Sequence, residues 1–224
     1  MPGSRNKQQT SSEIVYDQLF KELLSLELLP HSTLSESDVA ARFGVSRQPV
    51  RDAFNRLENL GLLTIKPQRP TQVRGFSMER IQNARFVRLA IELEVIKSAC
   101  VQWDAVAAEE LAANLALQRD AIAADRIDAF HDLDYDFHRL ICVHAGHKFA
   151  FETIHRCKQQ VDRLCVLSLA RTNEVTEVIE DHEDIARALR GKSVKSAARL
   201  LRKHAGRLDE AITDIHNAHA DYFE

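Results

Sequence analysis

The sequence predicts a mainly α-helical protein, in which three short N-terminal helices and a small β-hairpin precede an all-α bundle of six helices. Three observations lead there. Apolar residues recur at helical spacing along most of the chain. Only 7 of the 224 residues are glycine and 6% are aromatic, too few for an all-β chain full of turns. The one stretch that reads as strand, between residues 63 and 74, is short and interrupted by proline.

Residues 1–12 are polar and read as a disordered tail. From Glu13 onward Ile14, Leu19, Leu23, Leu24 and Leu26 keep helical spacing until Pro30 ends the pattern. Ser35 suits the N-cap of a second helix over residues 36–43, which Gly44 stops. A third helix starts near Ser46 with Pro49 in its first turn, where a missing N–H does no harm. It turns Val50, Phe54, Leu57 and Leu60 inward and ends at Gly61. Strands over 63–65 and 72–74 then flank a loop with Lys66, Gln68 and Arg69 at its tip. From Ser77 the pattern is helical throughout, with helices near 77–101, 105–124, 126–145, 148–169, 174–190 and 194–219. The breaks fall at 102–104, 125, 146, 171–173 and 191–193. These limits define a tail (1–12), a first domain (13–75) and a second (76–224).

Charge divides along the same line. The formal net charge is -3, yet residues 1–75 hold 10 basic and 8 acidic side chains and the remainder 20 basic and 25 acidic. One histidine of ten, His31, lies in the first part. Such a balance excludes a wholly basic nucleic-acid coat while leaving room for DNA reading by one small module. Cys100, Cys142, Cys157 and Cys165 form no CxxC pair, so they read as reduced thiols rather than a zinc or disulfide framework. No apolar run approaches ~18 residues, and MPGSRNKQQTSS lacks a signal-peptide core. The expected location is the cytoplasm.

A helix over 36–43, a tight turn at Gly44-Val45 and a helix from Ser46 have the geometry of a helix-turn-helix. Ala40 packs between the helices and Val45 plugs the corner. The first turn of the second helix then presents Ser46, Arg47, Gln48 and Arg51, residue types that read base edges in a major groove. The hairpin tip, with Gln68 and Arg69, suits a wing on the backbone or minor groove. The string LSESDVAARFGVSRQPVRDAFNRLENLGLLTIKPQRPTQV closely resembles the winged helix-turn-helix of the GntR family of bacterial transcription regulators. That resemblance covers about residues 12–74 and implies DNA contacts by Ser37, Ser46, Arg47, Gln48, Arg51, Gln68 and Arg69. Two positions depart from it: Pro70 replaces a common wing glycine, and His31 stands where a Pro-Gly turn is usual.

In the second part, Asp134 and His138 lie four residues apart on one helix face, close enough to share an ion. Their helix buries Leu133, Phe137, Leu140 and Ile141, so an ionised Asp134 at the edge of that stripe needs a cation. The last two helices meet at a short GKS turn, and His182 and His204 are each 11 residues from Ser193, hence at one level. His182 shares a stripe with Ile179, Ala186 and Leu189; His204 shares one with Ala197, Leu200, Leu201, Leu208 and Ala211. One carboxylate and three histidines aimed inward make a candidate site for a divalent transition metal. Asp136 points away from it, and His144, His147, His155, His216 and His219 lie off the stripes or near a fraying C-terminus.

From about residue 78 the chain resembles the FCD ligand-binding domain of the FadR subfamily, through Asp134-Tyr-Asp-Phe-His138, Ala145-Gly146, Asp181-His182-Glu-Asp-Ile185 and His204. The resemblance implies metal binding by Asp134, His138, His182 and His204, with zinc, nickel or manganese as the ion and zinc the first choice. Arg88, four residues before Glu92, matches that family's R-x-x-x-E. It is either a helix ion pair or a partner for an acidic effector. The expected function is transcription regulation by a homodimer on double-stranded operator DNA, modulated by a small carboxylate effector. A metal-dependent enzyme built on the same site and a regulator with a purely structural ion are the rivals.

Overall fold

The computed structural model describes residues 9–169 and 172–224, with side chains there except at 162, 165, 166, 168, 169, 172–174 and 208–211. Residues 1–8 of the expected tail, Arg171 in the expected break, and the side chains of Cys165, Leu208 and Ala211 lie outside the described residues. Among the described residues the elements run α1 (Ser11–Leu24), β1 (Thr33–Leu34), α2 (Glu36–Phe43), α3 (Arg47–Asn59), β2 (Leu63–Thr64), β3 (Thr71–Val73), α4 (Met78–Gln102), α5 (Ala105–Ala123) and α6 (Ile127–His144). Then come α7 (Lys148–Leu169), α8 (Thr172–Arg190), α9 (Val194–Ala218) and a single 3₁₀ turn, Ala220–Tyr222. The mainly α class holds.

The chain divides into two compact units, residues 1–78 with 219–224, and residues 79–218. In the first unit, α1 starts at Ser11 and not Glu13, because Thr10 and Glu13 cap each other. Glu13 N donates to Thr10 Oγ1 at 3.2 Å and Thr10 N to Glu13 Oε2 at 2.7 Å. It also ends at Leu24, well before Pro30. Between α2 and α3, Gly44 takes a left-handed φ of 64°, so the corner is a glycine C-cap. Val15, Leu19 and Leu23 of α1 then close over Val39, Ala40, Val50, Phe54 and Leu57.

Among the described residues the strands number three rather than two. β3 is central, pairing antiparallel with β2 (Leu63 opposite Val73) and with β1 (Thr33 opposite Gln72). His31, at φ 66°, supplies the reversal before β1 that a glycine usually makes, donating its N–H to Val73 O at 2.9 Å. The C-terminal residues, expected as a fraying end, are hydrogen-bonded to the rest of the first unit. Phe76 N donates to Tyr222 O and Glu224 N to Phe76 O, each at 2.8 Å, and the Phe76 and Phe223 rings lie 5.2 Å apart.

In the second unit, the helices enclose a main apolar core around Ile96, Trp103, Leu111, Phe137, Ile154, Ile185, Leu189 and Leu201, with a smaller cluster at Ala121, Phe130 and Val175. Asp104 caps α5 by accepting from Ala107 N at 2.8 Å. α5 packs on α6 and α8, and α8 on α9. That arrangement turns the inner faces of α6, α8 and α9 toward one another.

Candidate functional site

The residues expected to meet DNA are all exposed or half-buried. Ser37 lies on α2, Ser46 is the N-cap of α3, Arg47, Gln48 and Arg51 lie on α3, and Gln68 and Arg69 belong to the loop between β2 and β3. Several are held in place by neighbours of the first unit. Arg51 makes a two-toothed pair with Glu36, at 3.2 Å from Nε and 3.0 Å from Nη2. The same contact raises the Arg51 pKa and lowers that of Glu36. Gln48 donates to Asp52 at 2.8 Å, and the Ser35 and Ser37 hydroxyls are hydrogen-bonded at 2.6 Å. Ser35 is the N-cap expected from the sequence and Ser46 occupies the same position on α3, but neither accepts a cap hydrogen bond through its side chain. At the wing tip Gln68 takes a positive φ of 60°.

In the second unit the structure brings Asp134, His138, His182 and His204 together. One potential ligand atom from each lies within 4.8 Å of the other three. Tetrahedral bonds of about 2.0–2.2 Å set co-ligands roughly 3.3–3.6 Å apart, so an inward shift on the order of 1 Å brings the set to an ion-binding geometry. The first three are buried. Phe137 stacks on the His182 ring at a centroid distance of 4.0 Å and fixes its plane. His182 and His204, placed by α8 and α9, have centroids 4.7 Å apart. His182 Nε2 lies 3.3 Å from Asp134 Oδ1 without the alignment of a hydrogen bond, and His204 Nδ1 is a buried atom with no hydrogen-bond partner. Orphaned buried nitrogens around a carboxylate are what a cation would satisfy.

Lys158 and Gln118, which the sequence did not single out, complete the cluster together with the Arg88–Glu92 pair, which it did. Lys158 of α7, itself buried, sits 2.7 Å from Asp134 Oδ2. Burial pushes the Asp134 carboxyl up, and the Lys158 ammonium overcomes that push and holds it well below the carboxylate range. Glu92 of α4 lies 3.1 Å from His138 Nδ1. Burial raises Glu92 as well, but Arg88 and His138 hold it ionised. Arg88 donates to Glu92 Oε1 and to His138 Nε2, both at 3.0 Å, so it is an i,i+4 ion pair and also lines the cluster. Gln118 of α5 bonds His182 Nδ1 at 2.9 Å. Burial drives the His182 and His204 pKa values below the ordinary imidazole range, which keeps both rings neutral as metal ligands require. The available signal for these partners was weak: polar side chains on otherwise apolar helix faces.

Other histidines are engaged elsewhere. His144 pairs with Glu110 at 2.9 Å, His147 with Ser98 at 3.0 Å, and His155 packs on Tyr135. Asp136 turns outward to Arg139.

A three-helix head with a wing and a separate helical unit carrying a buried polar centre defines a class, that of modular DNA-binding regulators with a sensing domain. Family comparison agrees: residues 11–73 match the model "Bacterial regulatory proteins, gntR family", and residues 84–207 the FCD domain. The HTH-type transcriptional repressor RspR of Escherichia coli (strain K12) is 33% identical over 97% of this chain and 96% of its own. The gluconate operon transcriptional repressor of Bacillus subtilis (strain 168) is 22% identical over 94% of this chain and 88% of its own. Among solved structures, E. coli McbR/YncC shares the fold with a TM-score of 0.75 at 18% identity, over 92% of this chain and 99% of that one. The chain belongs to the GntR family of DNA-binding transcription regulators, with an FCD domain as its effector-binding part. Among the described residues no helix is long and apolar enough to cross a membrane.

Proposed function

We propose that this regulator belongs to the FadR subfamily and acts as a cytoplasmic homodimer whose grip on operator DNA changes when a small organic acid binds at a metal centre. Residues 13–75 read DNA and residues 76–224 sense the effector. The convergence of Asp134, His138, His182 and His204 from three helices carries this reading. These four hold a divalent transition ion, zinc before nickel or manganese, since imidazole and carboxylate suit those metals. The ion supplies Lewis acidity and open positions for effector oxygens. Arg88, a donor fork already beside the cluster, takes the effector carboxylate. Lys158 keeps Asp134 ionised, and Glu92 keeps the His138 ring oriented.

On the DNA side, Arg47, Gln48, Arg51 and Ser46 enter the major groove, Ser37 steadies the approach, and Gln68 with Arg69 reaches the backbone or minor groove. Two copies are needed because one recognition helix covers only a half-site. An effector shifts DNA affinity only as far as it binds one state better than the other, and DNA shifts effector affinity by the same factor. Repression is the mode we adopt, because RspR and the gluconate operon regulator are named as repressors. Elemental analysis of purified protein beside a His138→Ala/His182→Ala variant tests the centre, with about one ion per chain expected in the parent and none in the variant. A thermal-shift screen of small carboxylic acids against zinc-loaded parent tests the sensor. No shift for any acid leaves the ion structural and contradicts the sensing role.

A further inference from the structure

Helix α5 gives no ligand to the Asp134 cluster, yet its alanine-rich surface buries a polar pair one turn apart, Asn114 and Gln118. The polarity of this pair is set by one backbone atom. The Leu133 carbonyl oxygen, one residue before Asp134, only accepts hydrogen bonds. Asn114 Nδ2 donates to it at 3.0 Å, which leaves Asn114 Oδ1 as the acceptor. Gln118 Nε2 then donates to Asn114 Oδ1 at 2.7 Å and to Leu133 O at 3.4 Å. Gln118 Oε1 is therefore an acceptor, and it lies 2.9 Å from His182 Nδ1. Nδ1 carries the proton and Nε2 the lone pair, aimed at Asp134 Oδ1 3.3 Å away. Two acceptors are thus held face to face, an arrangement that a cation between them relieves. Glu92 treats His138 in the same way through its Nδ1 at 3.1 Å, but with a charge. Gln118 achieves the orientation without adding another buried anion.

We infer that Gln118 is the positioning residue of the metal centre: it locks His182 in the tautomer that offers Nε2 and ties that ring to the backbone just before Asp134. α5, which contributes no ligand, thereby governs metal affinity. This rests on the reading of Asp134, His138, His182 and His204 as the ligands.

Two measurements on the full chain test it. In metal-free protein, two-bond ¹H–¹⁵N correlation spectra report histidine tautomers, and His182 is expected with its proton on Nδ1; a proton on Nε2 overturns the inference. Zinc affinity by chelator competition is then compared for parent, Gln118→Met and Gln118→Glu, with the thermal midpoint of each metal-free protein as the folding control. Gln118→Met is expected to bind zinc 10–100-fold more weakly, as other losses of an outer-shell partner do. Gln118→Glu, which when protonated both donates and accepts as the amide does, is expected within a few-fold of the parent. A Gln118→Met protein that binds as tightly as the parent, or a Gln118→Glu protein as weak as Gln118→Met, contradicts the inference alone. A parent that binds no zinc overturns the metal reading and this inference with it.

Discussion

Asp134 shows how the centre is balanced at the scale of one side chain. It is buried, ionised, and held by the Lys158 ammonium on one oxygen while the other faces imidazole nitrogens. Removing one partner of a buried pair commonly costs about 3–5 kcal/mol. Lys158→Met is therefore expected to lower metal-free stability by about that amount in urea titrations, with much of the loss recovered on adding zinc, which replaces the missing charge. Equal losses with and without zinc would mean that the ion does not reach Asp134. Acid works against the fold at His182 and His204 as well. Their pKa values are depressed in the fold, so below the ordinary value of about 6.5 the unfolded chain takes up protons that the native rings refuse. Metal-free stability should fall as pH drops below about 6.5, by up to about 1.4 kcal/mol per pH unit for each ring. A stability curve flat between pH 6.5 and 5 contradicts it. The four clustered residues were legible in the sequence because regular helices convert spacing into geometry: i,i+4 for Asp134 and His138, equal distance from Ser193 for the other pair. Lys158 and Gln118 were not, because each meets its partner across helices whose facing register no local pattern encodes.

At the scale of elements, two glycines do different work. Gly44 has φ 64°, and a Cβ added there would meet nothing within 4 Å, so Gly44→Ala should cost only backbone strain, about 1 kcal/mol. At Gly75 an added Cβ would meet His31 at 2.6 Å and the Tyr222 carbonyl at 2.9 Å, so Gly75→Ala should cost more, about 1–3 kcal/mol, by forcing the C-terminal segment off Phe76. Denaturant titration of both variants checks the order, and a larger loss at Gly44 would contradict it. The second contact was invisible in the sequence. It joins residues 75–76 to 222–224, and the final residues carry no periodic signal, so they read as a fraying end. β1 escaped notice for a related reason, since two residues are too few to show alternation. α2 and α3 were legible because a left-handed glycine at 44 and an early proline at 49 mark their ends.

For the whole molecule, one chain holds a reading head and a buried polar centre, and the proposed function requires the two to communicate. Reading itself is checked by binding to a DNA fragment selected from a random pool. Arg47→Ala is expected to weaken specific binding about tenfold or more, as loss of a two-toothed base contact does. Unchanged affinity would place the recognition surface elsewhere. Communication is tested most directly by measuring affinity for that fragment at fixed salt, for zinc-loaded parent and His138→Ala, with and without the carboxylic acid that gives the largest thermal shift. The predicted result is a change of about fivefold or more in the parent and none in the variant, in keeping with typical coupling energies. A parent whose DNA affinity ignores both the acid and removal of the metal would contradict the coupling of sensor to reading head.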